Sequence, residues 1–344
     1  MSFNYTAGLN NVGSFQVSGR PWLKNHSFAG VESKFYEFPN VTDYIKITND
    51  VAAAGTGNLD IVFCEPRTGL DMPDNQEYFE TSGLSLTEFT VSFWLKGESG
   101  VNRVIEFDEA TAVIIRPSGG DVFGRLIVEN TSTADSPVFS SSEWNFITIT
   151  IASAESKIYI NGANPVTLAH TKTAAATELY IGSDRRPINS NAQYDDMSLF
   201  STILNSDEVL ELYQSTSLST LLNHSRADKL ISFWDFENNT YKTFYSNPDD
   251  GQNVYDRISE NHLSWNAGGS ASPANATYVD GRILDAALSH HKITLEGQQE
   301  IRLNCKSKQV FLKSTGNTSV NVSAGLTGIP AERMYDLTGP GIDD

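Results

Sequence analysis

The sequence predicts an all-β protein built from two antiparallel β-sandwiches. Short runs alternate between apolar and polar residues, as in FTVSFWLK (89–96), which places every second residue on one apolar face of a strand. Gly and Asn turns such as Asn161-Gly162 separate these runs, and only DEVLELY (207–213), with Ser206 as its predicted cap, has the pattern of a helix. Many short strands and one short helix indicate sandwiches.

Three regions follow from the distribution of the strand-like runs. Residues 1–33 are rich in Gly, Ser and Asn with isolated apolar residues, which predicts an extended N-terminal arm. Residues 34–76 and 291–344 together hold eight strand-like runs, and because neither part can build a core alone, we predict one discontinuous host sandwich. Residues 77–290 then form an inserted sandwich. The only two cysteines, Cys64 and Cys305, lie in host strands and are expected to be buried thiols.

The composition limits the classes of function. The chain has 42 Asp and Glu against 24 Lys and Arg, a formal charge of −18. This balance argues against nucleic acid as a partner, because nucleic-acid binders neutralise phosphates with basic side chains. MSFNYTAGLNN contains no basic region followed by an apolar run, and no window approaches the ~18 apolar residues of a membrane span. We therefore expect no membrane partner and no ordinary export signal.

The inserted region resembles a laminin-G-like jelly roll of the concanavalin A-like class. The matching segments are FTVSFWLKG, EWNFITITI, KIYINGA, ELYIGSD and YDDMSLFSTILNSDEV, followed by FWDFE and YVDGRILDAAL. The last two resemble the opening strands of that fold, although here they follow the others, within 230–239 and 278–288. This order implies a circular permutation that brings the ends of the insert together, as an insertion into a loop requires.

The flanking segments resemble small virion structural proteins of contractile-tailed marine cyanophages, which lack the insert. The segments are MSFNYTAGLNNVGSFQVSGRPWL (1–23), YEFPNVTDYIKI (36–47), and LNCKSKQVFLKS with AGLTGIPAERMYDLTGPGI within 303–342. The resemblance implies a protein of the virion, assembled in the host cytoplasm. It also implies partners among the other virion proteins, in the capsid or the tail, and a homo-oligomer or multicopy arrangement.

One pair of acids raises the question of hydrolysis. Glucanases of the concanavalin A-like fold use two carboxylates, and the candidate here is Glu106 with Asp108 on one strand. The further glutamate expected in such glucanases is missing, since Thr111 stands at that position. We therefore predict no catalytic residues and a protein that is not an enzyme.

Sugar binding by a jelly roll normally uses exposed aromatic rings beside polar side chains in loops. Two loops contain such residues, and the alternative is that they are ordinary loop residues. The predicted carbohydrate-binding residues are Arg185, Arg186, Asn189, Asn191, Tyr194, Tyr241 and Tyr245.

The laminin-G resemblance also implies a structural calcium ion between two segments of the fold. The candidate ligands, which offer the hard oxygen atoms that calcium prefers, are Asp195, Asp196, Asp256, Glu260 and Asn261. Arg257 lies in the second segment, so an Asp–Arg pair in place of the ion and simple solvated carboxylates stay open as alternatives. We expect that no cofactor is required.

These expectations combine into one predicted function. The chain is predicted to be a non-enzymatic virion structural protein, a capsid decoration, neck, tail or fibre component, whose outward-facing jelly roll binds host-surface glycans weakly. A dedicated carbohydrate-binding adhesion protein and a glycan hydrolase are the alternatives.

Overall fold

The protein divides into two compact units in the computed structural model. Unit 1 is Met1–Pro66 with Ile283–Asp344, and unit 2 is Arg67–Arg282. The structure describes residues 20–51, 57–63, 68–75, 78–97, 102–108, 111–129, 131–172, 174–182, 190–215, 221–236, 253–254, 256–259, 261–266, 277–282 and 292–334.

Unit 1 is a sandwich of two four-stranded antiparallel sheets. Its strands are β1 (Arg20–Phe28), β2 (Ser33–Glu37), β3 (Asn40–Asn49), β4 (Leu59–Val62), β21 (Ile293–Leu295), β22 (Glu300–Leu303), β23 (Gln309–Ser314) and β24 (Thr318–Pro330). One sheet has the order β1-β24-β3-β22 and the other β2-β23-β4-β21. Inward residues such as Ile45 and Ile47 from the first sheet and Ile61 and Leu312 from the second form one apolar core.

One strand of unit 1 lies in the predicted N-terminal arm. β1 pairs with β24 along its whole length, from Arg20 opposite Leu326 to Phe28 opposite Thr318. As an edge strand it leaves most of its side chains exposed, so its sequence lacks the alternation that identifies a half-buried strand. After β24 a 3₁₀ turn spans Ala331–Arg333.

Unit 2 is a larger sandwich with the one helix of the described residues, α1 (Ser206–Tyr213). Its strands are β5 (Thr68–Asn75), β6 (Tyr78–Leu86), β7 (Phe89–Gly97), β8 (Asn102–Phe107), β9 (Thr111–Ser118), β10 (Asp121–Val128), β11 (Ser132–Phe139), β12 (Asn145–Ile151), β13 (Glu155–Ile160), β14 (Val166–Ala169), β15 (Ala176–Gly182), β16 (Ser190–Phe200), β17 (Leu230–Trp234), β18 (Asn253–Val254), β19 (Leu263–Asn266) and β20 (Thr277–Asp280). The prediction of an all-β fold is confirmed.

Two eight-stranded antiparallel sheets build unit 2. Sheet I has the order β11-β10-β9-β8-β15-β6-β19-β18, and sheet II has the order β14-β13-β12-β7-β16-β5-β20 with β17 beside β16. The displaced segment adds β17 and β20 to sheet II and β18 and β19 to sheet I, so it completes this sandwich and does not start another. Inward residues of both sheets, such as Phe93, Ile105, Ile149 and Ile181, form one core.

Unit 2 is inserted into a hairpin of unit 1. The host strands that flank it, β4 and β21, pair with each other, with Ile61 opposite Ile293. Within unit 2 the first strand, β5, pairs with the last strand, β20, with Thr68 opposite Asp280. The chain therefore enters and leaves unit 2 at neighbouring positions.

The boundaries of the two units differ from the predicted ones. β5 lies in 34–76, which the sequence analysis assigns to the host sandwich, but it pairs with β16 and β20 of sheet II. Unit 2 therefore spans 67–282 where the sequence predicts an insert at 77–290. The Pro, Gly and Asp residues of β5 conceal the strand, because they are normally depleted in strands.

The helix α1 covers the outer face of sheet II. Its cap is Asn205, one residue before the predicted Ser206: the Asn205 side chain accepts from the backbone of Asp207 and Glu208, and the Glu208 carboxylate accepts from Asn205 N at 2.8 Å. Val209 and Leu212 pack against the outward aromatic residues of the sheet. Within the described residues no helix is long and apolar enough to cross a membrane.

Only one of the two cysteines lies in the described residues. Cys305 is a free, partly buried thiol beside the unit 1 core, and burial raises its pKa. Cys64 lies outside the described residues. Burial disfavours the thiolate, so Cys305 lacks the lowered pKa of a reactive cysteine.

Candidate functional site

A row of charged and polar side chains crosses the outer face of sheet I. The register places Ala112 opposite Glu106, Glu106 opposite Tyr180, Tyr180 opposite Glu80, and Glu80 opposite Ser264. The neighbouring positions along each strand, such as Phe79 in β6 and Leu179 in β15, point into the core. Because successive side chains of a strand alternate between faces, the row faces away from the core. We call this outer face, with Arg103, Glu106, Tyr180 and Glu80 at its centre, the charged face.

An ion pair and two tyrosines form the middle of the charged face. Arg103 Nη1 lies 2.6 Å from Glu106 Oε1, and their side chains are only 5% and 0% exposed. A buried charge needs a partner of opposite sign, and each of these two groups supplies it to the other. The Tyr180 hydroxyl donates to Glu178 Oε2 at 2.6 Å, and the Tyr78 ring meets the Tyr180 ring edge-on at 5.7 Å.

A second ion pair lies towards the edge of the same face. Arg125 donates to both carboxylate oxygens of Asp135, at 2.5 and 2.6 Å. This hydrogen bonding lowers the pKa of the Asp135 carboxyl, with a smaller contribution from the charge of Arg125. The face thus combines guanidinium donors and carboxylate acceptors, which are groups that hydrogen-bond polar ligands.

The acid pair of the sequence analysis does not form a paired acid site. Glu106 is buried against Arg103, whereas Asp108 has a left-handed backbone, with φ of 48°, and turns into the neighbouring loop. Its carboxylate accepts from Thr177 N at 2.8 Å, Thr177 Oγ1 at 2.9 Å and Glu178 N at 3.0 Å. Asp108 therefore anchors the start of β15, and the two acids have separate structural partners.

Most of the predicted carbohydrate-binding residues lie outside the described residues. These are Arg185, Arg186, Asn189, Tyr241 and Tyr245, and for Asn191 only the backbone, in β16, is described.

The structure corrects the prediction that Tyr194 binds carbohydrate. Its side chain is 0% exposed, its ring lies 6.3 Å from that of Phe93, and its hydroxyl donates to Val104 O at 3.0 Å. The ring is part of the core and presents no face to a ligand. The sequence prediction placed it in a polar loop, but it is an inward position of β16.

The central residues of the charged face are missed by the sequence prediction. Tyr78 and Glu80 of β6 and Glu178 and Tyr180 of β15 alternate with core residues, and that alternation is visible in the sequence. What the sequence does not show is the register between strands that are almost one hundred residues apart. Only that register brings these side chains beside Arg103.

In the first segment predicted to bind calcium, Asp195 and Asp196 bind an arginine instead. β16 has a bulge between Asp195 and Ser198, and Asp196, with φ of 43°, turns within it. Asp195 Oδ2 accepts from Arg282 N at 2.7 Å, and Asp196 Oδ2 accepts from Arg282 Nη2 at 3.1 Å. The same guanidinium lies 4.2 Å from the centre of the Trp94 ring, which adds a cation–π contact.

The second segment predicted to bind calcium, which contains Asp256 and Asn261, stabilises a turn. Asp256 Oδ1 accepts from Phe233 N and Ile258 N, both at 2.9 Å, and Asp256 Oδ2 accepts from Ser259 Oγ at 2.6 Å. The backbone carbonyl oxygen of Asn261 accepts from Trp234 Nε1 at 2.9 Å. Glu260 lies outside the described residues.

The predicted calcium ligands do not fit a calcium site in this arrangement. Calcium requires six to eight oxygen atoms that converge on one point. Here the Arg282 guanidinium pairs with Asp196, the Arg282 backbone N–H donates to Asp195, and N–H and O–H donors satisfy Asp256. Arg257, the residue considered as a replacement for the ion, pairs with Asp235 at 2.8 Å. Among the described residues no group of three or more His, Cys, Asp or Glu side chains is arranged to hold a metal.

Comparison with solved structures finds proteins of similar fold. A candidate carbohydrate-binding protein from Bacteroides ovatus shares 8% identity, and the match covers 77% of this chain and 95% of that one, with a TM-score of 0.44. A pentraxin from Limulus polyphemus shares 12% identity over 51% of this chain and 83% of that one, with a TM-score of 0.34. Domain 4 of the arabinanase AbnA from Geobacillus stearothermophilus shares 15% identity over 53% and 88%, with a TM-score of 0.32. At these identities the likeness concerns the fold alone.

Comparison with sequence families assigns part of unit 2. No curated protein sequence matches the chain. Residues 72–210, however, match the family model of the concanavalin A-like lectin/glucanases superfamily. They run from β5 through both sheets into α1 and include the central strands of the charged face. Residues 72–210 are thus a laminin-G-like jelly roll of the concanavalin A-like lectin/glucanases superfamily.

Proposed function

We propose that this protein is a non-enzymatic structural component of a phage particle. In this proposal unit 1 attaches to other particle proteins, and unit 2 projects and binds glycans of the host surface weakly. The observation that carries the proposal is the insertion geometry: β4 pairs with β21 in unit 1, and β5 pairs with β20 in unit 2. This geometry lets a binding domain be added to a loop of a host sandwich without rearranging the host strands.

The distribution of charge supports the division of roles. Unit 2 has 14 Lys and Arg and 29 Asp and Glu, a formal charge of −15, whereas unit 1 has 10 and 13, a formal charge of −3. A strongly acidic surface favours solvation and repels other copies, which suits a projecting domain. A nearly neutral unit lacks this repulsion and suits a domain that packs against neighbours. The phage context itself rests on the resemblance of the segments at 1–23, 36–47 and 303–342.

The charged face supports glycan binding. The half-buried carboxylates of Glu80 and Glu178 can accept hydrogen bonds from sugar hydroxyls, and the Arg103–Glu106 pair and the Tyr78 and Tyr180 rings lie buried beside them. Hydrolysis is not part of the proposal, since Glu106 and Asp108 have separate partners. Calcium is not part of it either, since the Arg282 guanidinium pairs with Asp196 and the Arg282 backbone N–H donates to Asp195.

A glycan array probed with the full chain tests the binding role. We expect saturable, millimolar binding to at least one class of bacterial surface glycan. Glu80→Gln on the charged face should weaken that binding about tenfold, because a hydrogen bond to a charged group contributes roughly 1.5 kcal/mol or more. Glu88→Gln, on an exposed turn between β6 and β7, is the matched control and should bind like the wild type. Binding that Glu80→Gln leaves unchanged would remove the charged face from the proposal.

Locating the chain in a purified particle tests the structural role. Cryo-electron microscopy of the particle should show many copies, with unit 1 against the particle and unit 2 in solvent. A particle preparation that lacks the protein would end the structural proposal and leave the glycan test unaffected.

A further inference from the structure

A half-buried tryptophan lies on the outer face of sheet II, beside the cluster that α1 covers. Trp144 packs against that cluster with part of its side chain and leaves the rest open to solvent. A Cβ atom at Gly69 of β5 would lie 3.3 Å from Cη2 of the indole and 2.8 Å from Tyr194 O. Gly69 does not have the positive φ that favours glycine. The glycine is explained instead by the close approach of the ring and of the carbonyl oxygen.

The loop that carries Trp144 is fixed by hydrogen bonds on both sides of this residue. Asn145, which is 4% exposed, donates from Nδ2 to Ser140 O at 2.7 Å. Gly97 N donates to Ser141 O at 3.2 Å and thereby joins the loop to the end of β7. A side chain that is held in place before a ligand arrives loses little conformational freedom on binding, so the indole is preorganised.

Three polar side chains lie on the same outer face. The strand register places Lys96 opposite Gln193, and Gln193 opposite Asp71. Their neighbours in the sequence belong to the core of unit 2: Leu95, Tyr194 and Leu70. Because side chains alternate along a strand, the three polar residues point outward, and each is half-buried. Lys96 Nζ lies 5.9 Å from the centre of the Trp144 ring, so the row borders the tryptophan. We call these four residues the Trp144 patch.

The chemistry of the Trp144 patch indicates the class of ligand. The patch has no net formal charge, because the ammonium of Lys96 balances the carboxylate of Asp71. A charged ligand would be attracted by one of these groups and repelled by the other. A hydroxyl group both donates and accepts, so hydroxyls match the carboxylate, the ammonium and the Gln193 amide alike. The indole adds an apolar surface beside them. The patch therefore fits a neutral ligand with several hydroxyls and one apolar face.

We infer that the Trp144 patch binds a neutral pyranose ring of a surface glycan. The C–H face of the sugar packs on the indole, and the sugar hydroxyls bond to Asp71, Gln193 and Lys96. The inference deepens the glycan-binding role proposed for unit 2 and rests on that role. It adds a contact on the sheet opposite to the charged face, and two weak sites on one domain raise its avidity for a glycan layer.

Sugar titration of the isotope-labelled full chain tests the inference at the indole N–H resonance of Trp144, which Trp144→Phe identifies by removing it. The neutral probes are methyl β-D-glucopyranoside and methyl β-D-galactopyranoside, each paired with its uronate counterpart. At least one neutral probe should shift that resonance saturably in the millimolar range and bind about threefold or more tightly than its uronate. No saturable shift with either neutral probe would overturn the inference. Uronates that bind as tightly as the neutral probes would overturn it as well.

Asp71→Asn tests the charge balance of the patch. The neutral probe should bind about tenfold more weakly, because its hydrogen bond to a carboxylate is lost. The uronate should gain affinity relative to the neutral probe, since the charge of Lys96 is then no longer balanced. Asp121→Asn, an exposed aspartate at the start of β10, is the matched control and should bind both probes like the wild type. Equal effects of the two variants would mean that binding reflects only the overall charge, which contradicts the inference.

Substitutions of Trp144 test the stacking contact, with the backbone resonance of Gln193 as the readout. Trp144→Ala should weaken the neutral probe about tenfold, whereas Trp144→Phe keeps an aromatic ring and should stay within about threefold of the wild type. Trp22→Ala, which truncates a half-buried tryptophan of unit 1, is the control and should bind like the wild type. A purely structural role of Trp144 would lower the melting temperature of its variants and leave the sugar affinity unchanged, and that result would contradict the inference.

The glycan array separates this inference from the role proposed for the charged face. Glu80→Gln should leave the shift of the Trp144 resonance unchanged. Array binding that Glu80→Gln abolishes and Trp144→Ala leaves intact would support the charged face and overturn the inference. The reverse result would support the Trp144 patch and remove the charged face from the proposed function.

Discussion

The two outer faces of unit 2 carry opposite chemistry, although their sheets have the same number of strands and share one core. On sheet II the outward residues Trp94, Phe146 and Phe200 are buried with Leu212 of α1. On sheet I the corresponding outward positions hold the charged residues Glu106 and Arg103. An outward position can be apolar where another element covers it, and α1 explains the aromatic residues of sheet II. The buried charges of sheet I are instead paired with each other, Arg103 with Glu106.

The largest expected effect comes from breaking the buried ion pair. Glu106→Leu should lower the free energy of unfolding by about 3–5 kcal/mol, because it leaves the guanidinium of Arg103 buried without its carboxylate. The double variant Arg103→Leu/Glu106→Leu should recover most of this loss. Urea unfolding measures both. A double variant as unstable as the single one would show that the two charges are not energetically coupled.

Truncating a buried side chain of α1 tests the apolar outer face of sheet II. Leu212→Ala should cost about 3 kcal/mol in the free energy of unfolding, since Leu212 is 4% exposed and packs on the sheet. Leu210→Ala in the same helix is the control: Leu210 is 42% exposed, and its truncation should cost less than about 0.5 kcal/mol. Similar losses for the two variants would mean that α1 does not stabilise sheet II through its buried side.

Arg282 is a charged exception on the apolar face and gives a smaller effect. Arg282→Ala should cost about 1–3 kcal/mol, because the ion pair with Asp196 is only 13% and 12% exposed and the cation–π contact with Trp94 is lost as well. Arg257→Ala, whose arginine side chain is 42% exposed, should cost about 1 kcal/mol or less. Urea unfolding checks both values.

From the contacts of Arg282 we predict that calcium leaves the stability of the wild type unchanged. The melting temperature should be equal in millimolar calcium chloride and in excess EGTA, because the Arg282 guanidinium pairs with Asp196 and the Arg282 backbone N–H already donates to Asp195. A rise of several degrees with calcium would show that the aspartates bind the ion in spite of the arginine.

Acid should produce the smallest effect of the variants at the charged face. The folded pKa of Asp135 is depressed by hydrogen bonding to Arg125, so the stabilisation is complete above the ordinary aspartate pKa of about 3.9. It is lost as the pH falls through the lower, folded value. Arg125→Gln should therefore flatten the acid end of the stability profile slightly, as measured by urea unfolding from neutral to acidic pH. An unchanged slope would assign the acid sensitivity to other carboxylates.

Local patterns in the sequence predict the strands but not the site. The alternation in residues 89–96 predicts β7, and the acidic first turn of 207–213 predicts α1, because both depend on neighbours in the chain. The Arg282–Asp196 pair spans 86 residues, and the contact of Glu106 with Tyr180 depends on strand register. A change of register by one residue moves every side chain to the opposite face, so no local pattern specifies these contacts. Tyr194 shows the converse: a polar neighbourhood in the sequence conceals a core position.

The pairing of β5 with β20 has a mechanical consequence. A glycan bound to unit 2 would pull on that unit as a whole, and the pull would reach unit 1 through two covalent connections that leave from adjacent strands. The two connections can share the tension, because they leave unit 2 at the paired ends of β5 and β20. A domain appended at a chain terminus would transmit the whole tension through a single strand. An inserted domain is, for this reason, well suited to a surface contact that must survive drag.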